Sequence, residues 1–152
     1  DYRVLPVAKD YKRIGVGDTG PNTGGMGSVS HPPFVDADMM AKVEERVIKP
    51  TLKGIQKRKL DYKGFIFIGL ISVENEPYVI EYNCRMGDPE TQSVMARLSS
   101  DFMQRCLVTA DDKPGSSVVE IDHRPVASFV FIFGFYPCTF ANGQSLPVFY
   151  HL

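Results

Sequence analysis

The sequence has 152 residues, 43% of them hydrophobic and 23% charged, with a net charge of −1. That is enough chain to bury one core, and the lack of a basic excess argues against a surface that tracks nucleic-acid phosphates. No apolar run reaches the ~18 residues of a membrane-spanning helix, so no membrane partner is expected. Cys84, Cys106 and Cys138 are odd in number and widely spaced, and His31, His123 and His151 lack ligand spacing. Neither a disulfide framework nor a zinc site follows, and the default is a reduced, cytoplasmic protein. The chain opens at Asp1, in a strand-like pattern with no initiator Met or targeting segment, and reads as incomplete.

Residues 3–9 predict a short strand. Residues 10–33, with six glycines, predict a long loop of the kind that is often functional. From Asp36 the period becomes helical: Met39, Met40, Val43, Val47, Ile48, Leu52 and Ile55 share one face. Asp36 or Asp38 is the candidate N-cap, and Pro50 should kink or split the helix. The apolar, β-branched run from Phe65 to Val73 predicts a central strand, followed by a turn at Glu74-Asn75-Glu76 and a return strand from Pro77 to Asn83. Asp88 is expected to cap a helix with Pro89 at N1, running to about Leu98. A second helix is expected over 101–110, a linker over 111–117, and one or two strands between Val118 and Phe133, in a separate subdomain. The tail after Gly134 has no readable element.

Three segments can carry chemistry. On a strand, alternate residues share a face, which pairs Glu81 with Asn83 at a Cα spacing of roughly 6.5–7 Å. A carboxylate and an amide oxygen suit Mg²⁺, which keeps room for water and phosphates. Arg85 follows on the same side and can hold phosphate or a developing anion. Tyr78, Ile80 and Tyr82 then face a core, as does Cys84, which makes that thiol a poor nucleophile. The bland alternative is an edge strand with a polar end. In the second segment, Gly87-Asp88-Pro89-Glu90-Thr91, plain helix capping competes with a role in which carboxylates hold an amine and free N–H groups hold an anion. In the third, Gly17 to Gly27, glycines permit close backbone approach to a ligand, and Asp18 and Asn22 can grip hydroxyls or an amine. Gly15-x-Gly17-x-x-Gly20 is no dinucleotide fingerprint, because Pro21 and the glycines after it cannot open the required helix.

Asp10-Tyr-Lys-Arg13, the 17–27 stretch, Tyr62-Lys-Gly-Phe65 and the run from Val79 to Gln92 together resemble the phosphoribosylamine–glycine ligase family of the ATP-grasp superfamily, in one register from about residue 3 to about residue 110. The resemblance implies an α+β fold: the C-terminal half of an ATP-grasp domain, an antiparallel sheet with packed helices, incomplete at both ends. It divides the chain into residues 1–112, the second half of that domain, and residues 113–152, a linker and the start of a C-terminal domain. It implies ATP-dependent formation of glycinamide ribonucleotide from phosphoribosylamine and glycine through glycyl phosphate, in purine biosynthesis, with this segment alone inactive. It assigns Mg²⁺ or Mn²⁺ to Glu81 and Asn83, catalytic roles to Arg85, Asp88 and Glu90, and phosphoribosylamine binding to Asp18, Asn22, Thr23, Gly24 and Gly25. ATP, glycine, phosphoribosylamine and the remaining domains of a longer parent are the implied partners.

The sequence departs from the family in two places. Near Leu70 there is no second acidic metal ligand, and Gly134-Phe135-Tyr136-Pro137 stands where Gly-Gly precedes Tyr-Pro. The alternative from another class is a non-catalytic fragment, a folded interaction module that binds no magnesium nucleotide. Another carboxylate–amine ligase would keep Glu81 and Asn83 but should lack the Asp18-to-Gly27 segment.

Overall fold

The computed structural model describes residues 1–111, 113, 116, 118–132, 134, 136–138, 143 and 145. The expected 10–33 loop is a β-hairpin: β1 (Ala8–Gly15) pairs antiparallel with β2 (Thr19–Ser30). The strand expected over 3–9 starts only at Ala8. The glycines conceal a strand because they serve close packing. A Cβ on Gly25 (φ +145°) would lie 2.3 Å from Pro89 Cδ, and one on Gly27 (φ +155°) 2.3 Å from the Ser128 carbonyl oxygen. Only glycine fits at such approaches. β5 (Val126–Phe129) adds to the other edge of β2, in the order β1-β2-β5, so it continues the same sheet rather than opening a separate one.

A helical stretch follows. α1 (Ala37–Val43) is capped by Asp36, whose carboxylate accepts the Met39 N–H at 2.8 Å. It passes through a π-helical turn (Glu44–Ile48) into α2 (Lys49–Lys57). In that turn the Lys49 N–H reaches back five residues to the Glu44 carbonyl. The widened turn immediately precedes Pro50, which lacks an N–H and crowds the preceding turn of a regular helix, so the chain accommodates proline by local widening rather than a break. Met39, Val43 and Val47 form the buried core, with Val35, Ile48, Ile68 and Leu70 packed against them.

β3 (Phe67–Val73) and β4 (Glu76–Asn83) form a second hairpin, turning at Glu74 and Asn75, both at positive φ. The expectation that β3 is central fails. This sheet has two strands among the described residues, and Ile71 and Val73 are about half exposed because no further element covers their side. Ile68 and Leu70 lie under the helices; Tyr82, paired with Ile68, meets the Thr51 hydroxyl at 2.9 Å. Gly69 pairs with Glu81 but Leu70 pairs with Val79, so Ile80 is an extra residue, a β-bulge. The bulge reverses the alternation, and Tyr78 joins the face of Glu81, opposite Ile71. Tyr78, Ile80 and Tyr82, expected in the core, are all exposed by half or more. Cys84, also expected inward, is exposed too, since it lies just past the end of β4 where alternation no longer governs direction.

α3 covers only Glu90–Met95, shorter than expected, and α4 covers Phe102–Ala110, with Asp101 accepting the Gln104 N–H at 3.0 Å. Asp88 does not cap α3. The Thr91 amide and hydroxyl both donate to the Gly87 carbonyl and close the turn in its place, leaving Asp88 outside. A buried serine cluster fixes α3 on the sheet: Ser28 Oγ lies 2.7 Å from Ser93 Oγ, 2.8 Å from Ser128 Oγ and 3.0 Å from the Pro89 carbonyl. Arg97, also buried, donates to Ser30 Oγ and the Asp122 carbonyl, tying the chain after α3 to β2 and the approach to β5. The linker and tail fall in part on residues outside those described.

Candidate active site

The open face of the β3–β4 hairpin carries the candidate chemistry. Glu81 and Asn83 sit opposite Gly69 and Phe67, so the expected pair does share one face. Gly69 makes room for the carboxylate: a Cβ there would lie 2.9 Å from Glu81 Cγ. Gly87 does the same for Glu90, since its Cβ would lie 2.6 Å from Glu90 Oε2 and 2.7 Å from the Phe67 ring. Phe67 therefore lies between the strand carrying Glu81 and the turn carrying Glu90.

Two polar atoms of the site are buried without a partner: Asn83 Nδ2 and Glu90 Oε2. Buried polar groups are almost always bonded, and exceptions concentrate at functional sites. Burial holds the Glu90 carboxyl above its ordinary pKa. Its own backbone N–H and the Lys12 ammonium oppose that shift, and the charges of Asp10 and Asp88 reinforce it. Lys12 pairs with Asp10 at 2.9 Å. Burial works against the Lys12 charge, yet Asp10 together with the fields of Glu90 and Glu81 holds its pKa above the ordinary value.

Around the turn, Arg85, Met86, Gly87, Asp88, Thr91 and Gln92 line an open cavity of about 620 Å³. Arg85 donates to the Met86 carbonyl at 2.9 Å and is otherwise exposed beside Asp88. The glycine-rich hairpin reaches the same region through the middle of β2. Gly25 is buried against Pro89, and Thr23 binds the Lys12 carbonyl at 2.8 Å while accepting the Gly25 N–H at 3.0 Å. Gly24 offers its carbonyl to Lys12 at 3.4 Å. Asn22 sits opposite Arg13, and Asp18 at φ +59° lies in the exposed β1–β2 turn.

Glu81 and Asn83 provide hard oxygen donors, and neither an ion pair nor a hydrogen bond engages the Glu81 carboxylate among the described residues. The Glu81 carboxylate and the Asn83 Oδ1 fit a divalent cation that draws its remaining ligands from water and phosphate, and the unpartnered Asn83 Nδ2, a donor, calls for an acceptor such as a phosphate oxygen beside them. Among the described residues no three His, Cys, Asp or Glu side chains converge as metal ligands. Sequence reasoning missed Asp10 and Lys12. They lie two apart on β1 and so share a face, a signal lost once the segment is read as loop.

Residues 1–91, well over half of the chain, match the ATP-grasp (A) domain family of phosphoribosylglycinamide synthetase. The chain belongs to this family. It is 45% identical over 144 residues to the phosphoribosylamine–glycine ligase of Yersinia pestis, a match covering 93% of this chain and 34% of that protein. It is 44% identical over 144 residues to the enzyme of that name from Escherichia coli K12, with the same coverage. Its structure resembles the crystal structure of the phosphoribosylamine–glycine ligase of Thermotoga maritima, with a TM-score of 0.75 and 36% identity, covering 88% of this chain and 33% of that one. The chain thus spans about a third of the length of the relatives it matches. The mixed helical and antiparallel architecture agrees with the ATP-grasp expectation. No helix among the described residues is long and apolar enough to cross a membrane.

Proposed function

We propose that this chain supplies the metal- and phosphate-handling half of the ATP-grasp site in a phosphoribosylamine–glycine ligase, and that residues 113–152 lead into that enzyme's next domain. The observation that carries the proposal is the open face of the β3–β4 hairpin. There Gly69 and Gly87 clear space for two carboxylates, and buried Asn83 and Glu90 atoms are left without partners. A core built only for stability would satisfy those atoms. The names of the relatives support the reaction class.

In this reading ATP phosphorylates the glycine carboxylate. The phosphoribosylamine nitrogen then displaces phosphate from the glycyl phosphate, leaving the amide, ADP and inorganic phosphate. Glu81 and Asn83 would hold Mg²⁺ or Mn²⁺, which when bound neutralises phosphate charge. Arg85, at the cavity wall, would bind the phosphoryl oxygens through its planar fork of donors. Asp88 and Glu90 would orient the amine, with Glu90 shielded from water and Asp88 exposed beside it. Asp18, Asn22, Thr23, Gly24 and Gly25 would hold phosphoribosylamine, with Gly25 in the middle of β2 lying against Pro89 and Asp18 exposed in the β1–β2 turn.

The test is ADP release from Mg·ATP, glycine and phosphoribosylamine, with this chain alone and with the rest of the ligase supplied. Release that needs both substrates and the complementing segment is expected. No release from two folded pieces would favour the non-catalytic interaction module. In the active assembly, Asn22→Ala should raise the KM for phosphoribosylamine at nearly constant kcat, and an unchanged KM would remove the hairpin from the substrate site.

A further inference from the structure

Arg97 is only 5% exposed, and among the described residues it makes just two hydrogen bonds. Its Nε donates to the Asp122 carbonyl at 2.9 Å and its Nη1 to Ser30 Oγ at 3.0 Å. A guanidinium carries five N–H donors, so most of them are left unused. The Asp122 carboxylate feels its charge but is forked onto Arg124, and no carboxylate among the described residues forms an ion pair with Arg97. Charges this deeply buried are almost always paired. Arg97 also forms part of the wall of a cavity of about 260 Å³, which shares no residue with the cavity at Arg85. The rest of that wall is mainly apolar: Leu5, Val7, Val35, Met40, Ile121 and prolines that bring no N–H. The other polar residues of the lining, His31 and Asp36, are exposed, and Asp36 Oδ1 is bound to the Met39 N–H. A lone cation in an apolar hollow suits a small molecule with one charged end. A chain segment entering here would find no partners for its own backbone N–H and C=O groups.

We infer that this cavity is a binding site for a small aliphatic monocarboxylate. The carboxylate accepts the unused Arg97 N–H groups, and the alkyl body lies against Leu5, Val7 and Met40. The bonds to Ser30 and Asp122 hold the guanidinium in place beforehand, so little side-chain freedom is lost on binding. Nothing in this depends on the metal assignment at Glu81 and Asn83. The bland alternative is an arginine that only ties the chain after α3 to β2.

The probe is isovalerate, titrated by saturation-transfer NMR against the full-length ligase carrying this segment. Beside it run 3-methylbutan-1-ol and 3-methylbutylamine, which keep the alkyl body and change the charge. Isovalerate should bind saturably at about millimolar affinity, as its few non-hydrogen atoms allow. Both analogues should bind about tenfold more weakly, the worth of a hydrogen bond to a charged group. Arg97→Gln should abolish the preference for the acid. Ala37→Leu, which narrows the cavity and leaves Arg97 in place, should weaken isovalerate by a similar factor and decides the matter if Arg97→Gln does not fold. Equal binding of acid and alcohol would overturn the inference, as would isovalerate binding unchanged in both variants. So would no saturable binding to the wild type, the result expected if an acidic side chain from the rest of the ligase already pairs with Arg97 or if Arg97 is only a tie.

Discussion

The two faces of the β3–β4 hairpin follow opposite rules. Beneath it, Ile68 and Leu70 press on Met39, Val43 and Val47, the buried apolar cluster among the described residues. Above it, Gly69 and Gly87 leave gaps that Glu81 and Glu90 fill, and two buried polar atoms go unbonded. One strand pair thus carries the core on one side and the candidate site on the other, divided by the two-residue period of β-structure. The bulge at Ile80 is where that division is adjusted, since it brings Tyr78 onto the side of Glu81. Bulges are found where a side chain must be re-aimed beside a site.

If the faces are separable, substitutions should change one property and spare the other. The largest effect belongs to Glu81→Gln in the full-length ligase. Loss of metal-borne charge should cost several kcal/mol of transition-state stabilisation, roughly a thousandfold or more in kcat, with no change in the melting temperature. Near-normal turnover would remove the metal from this face. Met39→Ala tests the other side. Truncating a side chain only 4% exposed should lower stability by about 2–4 kcal/mol, read by denaturant unfolding, while in the folded full-length protein metal binding is retained. Lost metal affinity in that folded variant would mean the faces are coupled through the sheet.

Legibility in the sequence follows the range of the interactions. The helix from Asp36 and the helix after Asp101 were readable because their caps lie within three residues of what they cap. The β3–β4 turn was readable for the same reason, as was the pairing of Glu81 with Asn83 by alternation. The β1–β2 hairpin was not, because its glycines answer to Pro89 and Ser128, far along the chain, and look locally like a loop. The bulge left no mark either, since an inserted residue has no signature of its own and reveals itself only against a partner strand. Lys12 was lost with the hairpin. The parts of the candidate site that resisted reading are those assembled by contacts between β1, β2 and the Asp88–Glu90 turn.

A smaller change on the open face sharpens the division further. Gly69→Ala places a methyl group 2.9 Å from Glu81 Cγ, the flexible part of a side chain rather than backbone, and Gly69 is not at positive φ. Stability should stay within about 1 kcal/mol, because strand alanine costs little and the carboxylate can swing away. Metal affinity should fall several-fold as Glu81 leaves its place. A titration of Mn²⁺ against the variant reads this, and unchanged affinity would mean that the gap over Gly69 does not set the carboxylate.

Glu90→Gln gives the smallest effect and the most particular one, because its sign reverses between stability and function. Glu90 is 6% exposed, its Oε2 has no partner, and burial raises its pKa above the ordinary carboxyl value. A group whose folded pKa exceeds its unfolded one takes up a proton on folding, so the native state loses stability as pH rises from the unfolded value through the folded one. Above that window the wild type holds a buried, poorly compensated charge, and an amide of the same shape relieves it. The variant should therefore melt higher than the wild type at pH 8, by on the order of 1 kcal/mol. The advantage should shrink as pH falls through the folded pKa toward the ordinary carboxyl value, as the native Glu90 takes up its proton. If Glu90 orients an amine, the same variant should lose turnover in the full-length ligase. A variant that gained no stability at pH 8 would mean that Lys12 already compensates the charge in full, and Glu90 would then belong to the satisfied part of the fold rather than to its strained, chemical side.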